Sequence, residues 1–419
     1  MSTQLLFQPL LEEAERPEFS RWHDILRHGA LLHELSMQQP MAPAPYPVES
    51  IGPGYCYNIA FGHWDLIFAL LDSCPVLPDH TRRQLLNQFA FCRADGFMQG
   101  VMYRNHAMEV ICSSESSFPP LWPVAVDCHA ETTGSTEMIE AAVGPLLRQI
   151  GWFERERRAD GGGFFYCDVL NGRWESGVDE SLQAKLIAER GKFPCLDATA
   201  HVRLLCDAAR RYLRKLNHPG AEEYDEKCAE LDSFLRTRCF CEETGFFHDP
   251  YLIERRMLYR TLSGIWPLFS GAAVPEQAAS VAKQLMTPGR FLTPHPLPFV
   301  AADEPLFELR MWRGPAWNSI TLCALLGLER YGFRAEAAVI AERLLDDTLL
   351  QFRRTGALWE FYDPNSGPQA KVFRKQGPFQ APCREYLGHN PLFAIARLWL
   401  RCRRRSAEGS GTTGSEKTI

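Results

Sequence analysis

The chain has 419 residues, 46% hydrophobic and 23% charged, with a net charge of −6 and a pI near 6.1. That composition supports a large core, while the acidic balance excludes the electrostatic footprint of a protein that binds nucleic acid or an anionic membrane. No apolar run approaches the roughly 18 residues of a membrane span. The opening MSTQLLFQPLLEEAERPEF places acids where a secretory signal carries basic residues, so the expected location is the cytoplasm.

Helical periodicity dominates and β-type alternation is rare and short. It predicts twelve helices, near 20–37, 58–72, 79–94, 118–132, 137–158, 193–216, 220–239, 259–270, 275–287, 315–332, 334–353 and 388–404. The Gly/Ser/Thr-rich residues 406–419 have the composition of a disordered tail. Links from even to odd helices are short: SCPVLP, TGST, HPG and the Gly332–Phe333 step. Links from odd to even helices are long: 95–117, 159–192, 240–258, 288–314 and 354–387. Short links join antiparallel neighbours, and loops beyond about 15 residues are usually functional or disordered. If the helices alternate between an outer and an inner ring, every long loop emerges at the same end. The predicted fold is therefore all-α, an (α/α)6 barrel (a toroid of six helical hairpins) over 1–405, with its active site on the long-loop face.

The fourteen cysteines are scattered, mostly within apolar helix-like runs where a thiol packs as a small hydrophobe. The one close pair, Cys239 and Cys241, has no CxxC spacing and no His at ligand distance. No metal is expected.

The long loops hold almost every conspicuous residue: YNIAFGHWD (57–65), DGFMQG (95–100), SSFPPLWP (116–123), WESGVDESLQ (174–183), ETGFFHDPY (243–251), MWRGPAWN (311–318), LWEFYDPNSG (358–367) and YLGHNPL (386–392). Aromatic rings cover the apolar face of a pyranose, and forked polar groups take its hydroxyls. In WESGVDESLQ, a helix would set Glu175 and Asp179 on one face to repel each other, and Gly177 weakens a helix further. A loop is the expected setting.

Three of these stretches resemble glycoside hydrolase family 63 and its clan, which includes trehalases and processing α-glucosidases. Trp174-Glu175-Ser176-Gly177-Val178-Asp179 is similar to the family's W-E-S-G-x-D element. Trp312-Arg313-Gly314-Pro315-Ala316-Trp317 is similar to W-R-G-P-x-W, and Glu360 to Gly367 to E-x-Y-x-P-x-T-G. Trp64-Asp65 and Asp95-Gly96-Phe97 are weaker echoes. The smallest such enzymes, which cleave mannosylglycerate or glucosylglycerate, are similar in length. The resemblance implies an (α/α)6 barrel and inverting hydrolysis of an α-glycosidic bond, with Asp179 as general acid and Glu360 as general base. The chain departs from the pattern at Glu180-Ser181-Leu182, where the family continues Asn-Ser-Pro, and at Ser366-Gly367-Pro368-Gln369, which touches the substrate more than the reaction.

Around that pair the expected substrate-binding residues are Tyr57, Trp64, Asp65, Gln99, Trp174, Glu175, Gly177, Trp312, Arg313, Gly314, Trp317, Tyr362 and His389. Each has a plainer reading. Asp179 suits a helix N-cap, and Glu360 among aromatic neighbours needs an arginine to serve as a base. Glu175 either binds hydroxyls, raises the pKa of Asp179, or pairs with Arg173 or Arg313. Trp64, Asp65 and His389 suit core and cap roles. Arg313 and Arg104 are the two candidates to hold a charged aglycone. The expected partner is a small-molecule glycoside, a small α-glucoside or α-mannoside, with no nucleic acid, membrane or cofactor involved. Alternatives are a sugar epimerase or isomerase on the same toroid, which usually needs histidines near pH 7, and a sugar-binding protein that has lost catalysis.

Overall fold

The computed structural model describes residues 5–105, 107, 109–168, 174–182, 191–374 and 380–410. His106, Arg173, residues 183–190 and the tail from 411 lie outside the described residues. Twelve helices correspond to the predicted ones: α1 His23–Ser36, α2 His63–Ser73, α3 Pro78–Ala90, α4 Trp122–Thr133, α5 Glu137–Glu156, α6 Leu196–Lys215, α7 Ala221–Phe234, α8 Trp266–Ser270 behind a 3-10 turn Leu262–Ile265, α9 Pro275–Leu285, α10 Asn318–Arg330, α11 Arg334–Thr355 and α12 Leu392–Ser410. A further helix, Gln8–Ala14, packs on α1.

The even-numbered helices form a closed ring. Each packs against the next even helix, α2 on α4 and so on round, and α12 closes on α2. The chain is thus an (α/α)6 barrel. Burial explains which helices are inside. In α6, Ala198–Ala209 is buried without interruption, as is Asn318–Leu325 in α10, and a helix apolar on every side belongs in a core. The outer α5 buries one stripe, Met138, Ile139, Ala142, Pro145, Leu146, Gln149, Ile150, Trp152 and Phe153, and leaves the opposite face to solvent. Glycines end the turns between rings, with Gly134 (φ 68°) capping α4 and Gly271 (φ 81°) capping α8 in the left-handed region.

Among the helix starts, the two largest departures from expectation are at 58 and 259. Residues Ile59–Gly62, expected in a helix from 58, are a strand, and α2 starts only at His63. That strand pairs antiparallel with Val101–Arg104, which pairs in turn with Val110–Cys112. The small sheet joins the α1–α2 and α3–α4 links at the long-loop end. Gly62 lets the strands approach, since a Cβ there would stand 2.4 Å from Gly100 O. Residues 259–261 stay extended, where Thr261 bridges to Val300. Among the described residues, no helix is long and apolar enough to cross a membrane.

Candidate active site

The long links converge on a cavity of about 490 Å³ at one end of the barrel. Five of the six contribute to its lining. The α7–α8 link does not: its Phe240–Cys241 pairs antiparallel with Phe246–Phe247 of ETGFFHDPY in a short hairpin, and His248 Nε2 pairs with Thr244 Oγ1 at 2.8 Å.

The cavity brings together Tyr57, Trp64, Asp65, Trp174, Gly177, Asp179, Trp312, Trp317, Glu360 and His389. Trp64 and Asp65 stand in the first turn of α2. Trp312 and Trp317 lie face to face, ring centroids 3.5 Å apart and planes 3° apart, with Trp64 5.8 Å from Trp312. Gly177 (φ 74°) presses on Trp64: an added Cβ would stand 2.9 Å from the indole. The glycine therefore shapes the loop that carries Asp179. Trp174 is partly exposed, edge-on to Phe118 at 6.4 Å.

Glu175 is not in the cavity. Its carboxylate is fully buried and saturated, accepting Arg157 Nε (2.7 Å) and Nη2 (2.9 Å), Ser117 N (2.8 Å) and Oγ (2.9 Å), and Cys167 N (2.6 Å). Its partner is Arg157, and Arg313 is engaged elsewhere, in an ion pair with Glu308 at 2.5 Å. Asp168 clamps the same loop from behind, accepting Glu175 N at 2.7 Å and Ser176 N at 3.1 Å. Burial and the Glu175 charge push Asp168 up to about 7, against the hydrogen bonds from Ser176. WESGVD is thus a loop fixed at Glu175 and Ser176, with Asp179 at its cavity end.

Four other expected ligands also fall outside the cavity. Arg313 braces its own loop through Glu308, and Gly314 is required because a Cβ would stand 2.2 Å from Glu308 O. Tyr362 is buried, donating to Asn390 Oδ1 at 3.0 Å and stacked 4.5 Å from His295. The Gln99 carboxamide oxygen is buried with no hydrogen-bond partner among the described residues. Arg104 is likewise spent, on Gln39 O and Pro40 O at 2.9 and 2.7 Å.

Glu360 is buried but lines the cavity, and Arg374 clasps it. Arg374 Nε donates to Oε2 at 2.7 Å and to Oε1 at 3.0 Å, Nη2 to Oε1 at 2.8 Å, and Cys383 N to Oε2 at 3.1 Å. Burial opposes the charge on Arg374, yet the Glu360 carboxylate outweighs it and holds the guanidinium well above its usual value. Arg374 Nη1 also donates to Tyr57 Oη at 3.0 Å. The arginine that a buried base needs is therefore present, fourteen residues downstream in the same link.

Asp65 accepts Tyr386 Oη at 2.9 Å and lies 3.5 Å from His389 Nε2. Burial, with Glu360 adding repulsion, lifts it to about 7 against the Tyr386 hydrogen bond. Gly388 permits this approach, since a Cβ there would stand 2.5 Å from Asp65 Oδ1. His389 is buried, with Nδ1 2.6 Å from Ser319 Oγ. Burial and then Arg374 push it well below its usual value, so the ring is neutral.

Sequence reasoning missed Arg374, Tyr55, Tyr103, Tyr386, Phe118 and the apolar Ile51, Val101, Ile111 and Met311. Tyr55 and Tyr103 meet at 3.4 Å between hydroxyls. Burial raises Tyr55 and Tyr386 well above the usual phenol value, so both stay protonated. Val101 and Tyr103 sit two apart on one strand and hence on one face, and Ile111 pairs with Tyr103.

Away from the cavity, Cys195, Asp197 and Asp249 bring a sulfur and two carboxylate oxygens within 4.8 Å of one another. Burial and the neighbouring Asp249 hold Asp197 well above the usual carboxylate range, and burial lifts Asp249 to about 6. The pair therefore favours a retained proton. Asp249 Oδ1 accepts Leu196 N at 2.8 Å, which ties this turn to the start of α6.

Residues 61–380 match the family described as "Mannosylglycerate hydrolase MGH1-like glycoside hydrolase domain". The chain is similar to mannosylglycerate hydrolase MGH1 of Selaginella moellendorffii, 36% identical over 110 residues, 26% of this chain and 21% of that protein. The match thus spans about a fifth of that relative's length. The GH63 mannosylglycerate hydrolase of Thermus thermophilus in complex with glucose superposes with a TM-score of 0.66 at 19% identity, covering 89% of this chain and 99% of that one. Neutral trehalase Nth1 of Saccharomyces cerevisiae superposes at 0.63 and 14% identity, covering 89% and 78%. Both share the barrel.

Proposed function

The chain belongs to the mannosylglycerate hydrolase MGH1-like glycoside hydrolases, and from that premise we propose that it cleaves a small α-mannoside or α-glucoside with inversion, Asp179 acting as general acid and Glu360 as general base. One observation carries the reading: Asp179 and Glu360, 181 residues apart in sequence, line one aromatic cavity. Inverting hydrolysis uses a protonated carboxyl at the leaving oxygen and a carboxylate across the ring that activates water, about 6.5–9.5 Å apart. The Arg374 ion pair supports the role of Glu360, since it orients a carboxylate in its charged form. Trp64, Trp312 and Trp317 offer ring faces to a pyranose, and the Asp65 carboxylate and the Tyr386 hydroxyl oxygen offer acceptors to its hydroxyls.

The aglycone we propose is glycerate. The Thermus relative is described as a mannosylglycerate hydrolase, in one structure in complex with Tris and D-glycerate. Here Arg374, Tyr55, Tyr57 and Tyr103 line the cavity and supply polar groups for a carboxylate and hydroxyls. The test is monosaccharide release from mannosylglycerate, glucosylglycerate, trehalose, kojibiose, nigerose, maltose and isomaltose, wild type beside Asp179→Ala. Release from a glycerate glycoside that falls by about 10² or more in the variant supports the reading. Binding of a monosaccharide with no release from any of the seven refutes it.

A further inference from the structure

All cysteines among the described residues are free thiols, and two of them meet beside Glu360. Residues 51–56 run antiparallel to 383–388, backbone against backbone. Gly388 N donates to Ile51 O at 2.9 Å and Gly54 N to Glu385 O at 3.4 Å. A Cβ on Gly54 would stand 1.7 Å from Arg384 O, and one on Gly52 2.6 Å from Glu385 O. This register sets Cys56 directly opposite Cys383. Both line a second cleft, of about 520 Å³, with Pro53, Gly54, Gln380 and Pro382. Cys56 is half-buried there and Cys383 is buried.

The two thiols differ in chemistry. The hydrogen bond from Cys383, then the Arg374 charge, hold Cys56 below the usual thiol value against partial burial. The same hydrogen bond and burial hold Cys383 well above it. An accessible thiol beside a positive charge is the reactive kind, and a buried neighbour is the resolving kind.

We infer that Cys56 and Cys383 form an oxidation site through which a peroxide switches off the cavity. The Cys56 thiolate attacks one peroxide oxygen, the O–O bond breaks, and the other oxygen leaves as water, giving a sulfenic acid. The Cys383 sulfur then attacks Cys56, forming the S–S bond and expelling a second water. Two thiols and one hydrogen peroxide give one disulfide and two waters, with sulfur oxidised and peroxide reduced. A disulfide holds its sulfurs about 2 Å apart, closer than two free thiols can stand, so closure draws Cys383 toward Cys56. Cys383 N is a donor to Glu360, and Arg374 faces both Glu360 and Cys56. Misplacing a reacting group by 1 Å costs about 10²-fold in rate.

The effect on turnover rests on the reading of Glu360 as base; the cross-link does not. The experiment treats the reduced full-length chain with hydrogen peroxide, maps disulfides by peptide mass, and follows glycoside release before and after dithiothreitol. The expected result is a Cys56–Cys383 peptide pair two hydrogens lighter, with turnover down about 10²-fold and recovered on reduction. Cys56→Ser, outside the cavity lining, keeps basal turnover and shows neither effect. A link found only between Cys74 and Cys128, the other pair of thiols that act on each other electrostatically, overturns the proposal, as does equal inactivation of Cys56→Ser. If no glycoside is cleaved, the Cys56–Cys383 link in wild type alone sustains the oxidation site while the functional reading falls.

Discussion

Glu175 and Glu360 are near twins in their bonding and opposites in their setting. Each is a buried glutamate gripped by an arginine through Nε and Nη2 and capped by the backbone N–H of a cysteine. Glu175 also takes both donors of Ser117, and it does not line the cavity. Glu360 has no such serine among the described residues and lines the cavity. The same ion pair therefore braces the acid-bearing loop in one place and presents a carboxylate to the cavity in the other. Accessibility, more than charge pairing, separates scaffold from site.

The largest expected effect comes from the open member. Glu360→Gln and Asp179→Asn are each expected to lower glycoside turnover by about 10²–10⁴-fold, read from initial rates. They differ in the fold, because Glu360→Gln leaves Arg374 buried without its counter-charge, at a cost of about 3–5 kcal/mol. Denaturant unfolding of the two variants separates these effects.

Glu175→Gln is the mirror experiment. It strands Arg157, and a loss of about 3–5 kcal/mol in unfolding free energy is expected, while KM of the molecules that remain folded changes little. A variant with wild-type stability and raised KM would instead make Glu175 a sugar ligand.

Asp65 sharpens the comparison, being a carboxylate of the cavity with no arginine on it among the described residues. Its native pKa, about 7, lies above the unfolded value of 3.8. The folded state therefore holds the proton more tightly, and stability falls as pH rises from about 4 to 7. Asp65→Asn removes that penalty. At pH 8 its thermal midpoint is expected to match or exceed wild type, while KM rises about tenfold through loss of a charged acceptor.

The smallest effect is in the wall, where His33 Nδ1 meets Glu49 Oε1 at 2.5 Å and His80 Nε2 meets Oε2 at 2.9 Å, with Asp72 3.7 Å from His33. Burial opposes both charges, yet Glu49 and Asp72 raise His33 to about 9, and His33 and His80 lower Glu49 to about 2. The His33 contribution is complete below 6.5 and is lost as pH rises through about 9. The Glu49 contribution is complete above 4.5 and is lost as pH falls through about 2. Relative to His33→Gln, wild type is expected to gain about 1–2 kcal/mol between pH 4.5 and 6.5, read from denaturant midpoints across pH.

Much of this was legible in the chain. Alternating long and short links mark a two-ring barrel, because a short link allows only an antiparallel return. WESGVD, WRGPAW and the Glu360 stretch pointed to Asp179, the tryptophans and Glu360 through their resemblance to glycoside hydrolase family 63, and the structure brings these residues to one cavity. What stayed hidden was pairing across space. Arg157 sits in ERERR at the end of α5 and Arg374 in FRKQG, both of which read as solvated charge. The tyrosines of the cavity come from three separate links. The small sheet has strands of three and four residues, too short for alternation to stand out.

The most direct test of the central claim is the anomeric form of the first sugar released, followed by proton NMR within seconds of adding an α-mannosyl or α-glucosyl glycerate. A water activated by Glu360 across the ring from Asp179 gives the β-anomer first, with the α-anomer growing only by mutarotation. The α-anomer appearing first would mean retention through a covalent intermediate, and would contradict the roles assigned to both carboxylates.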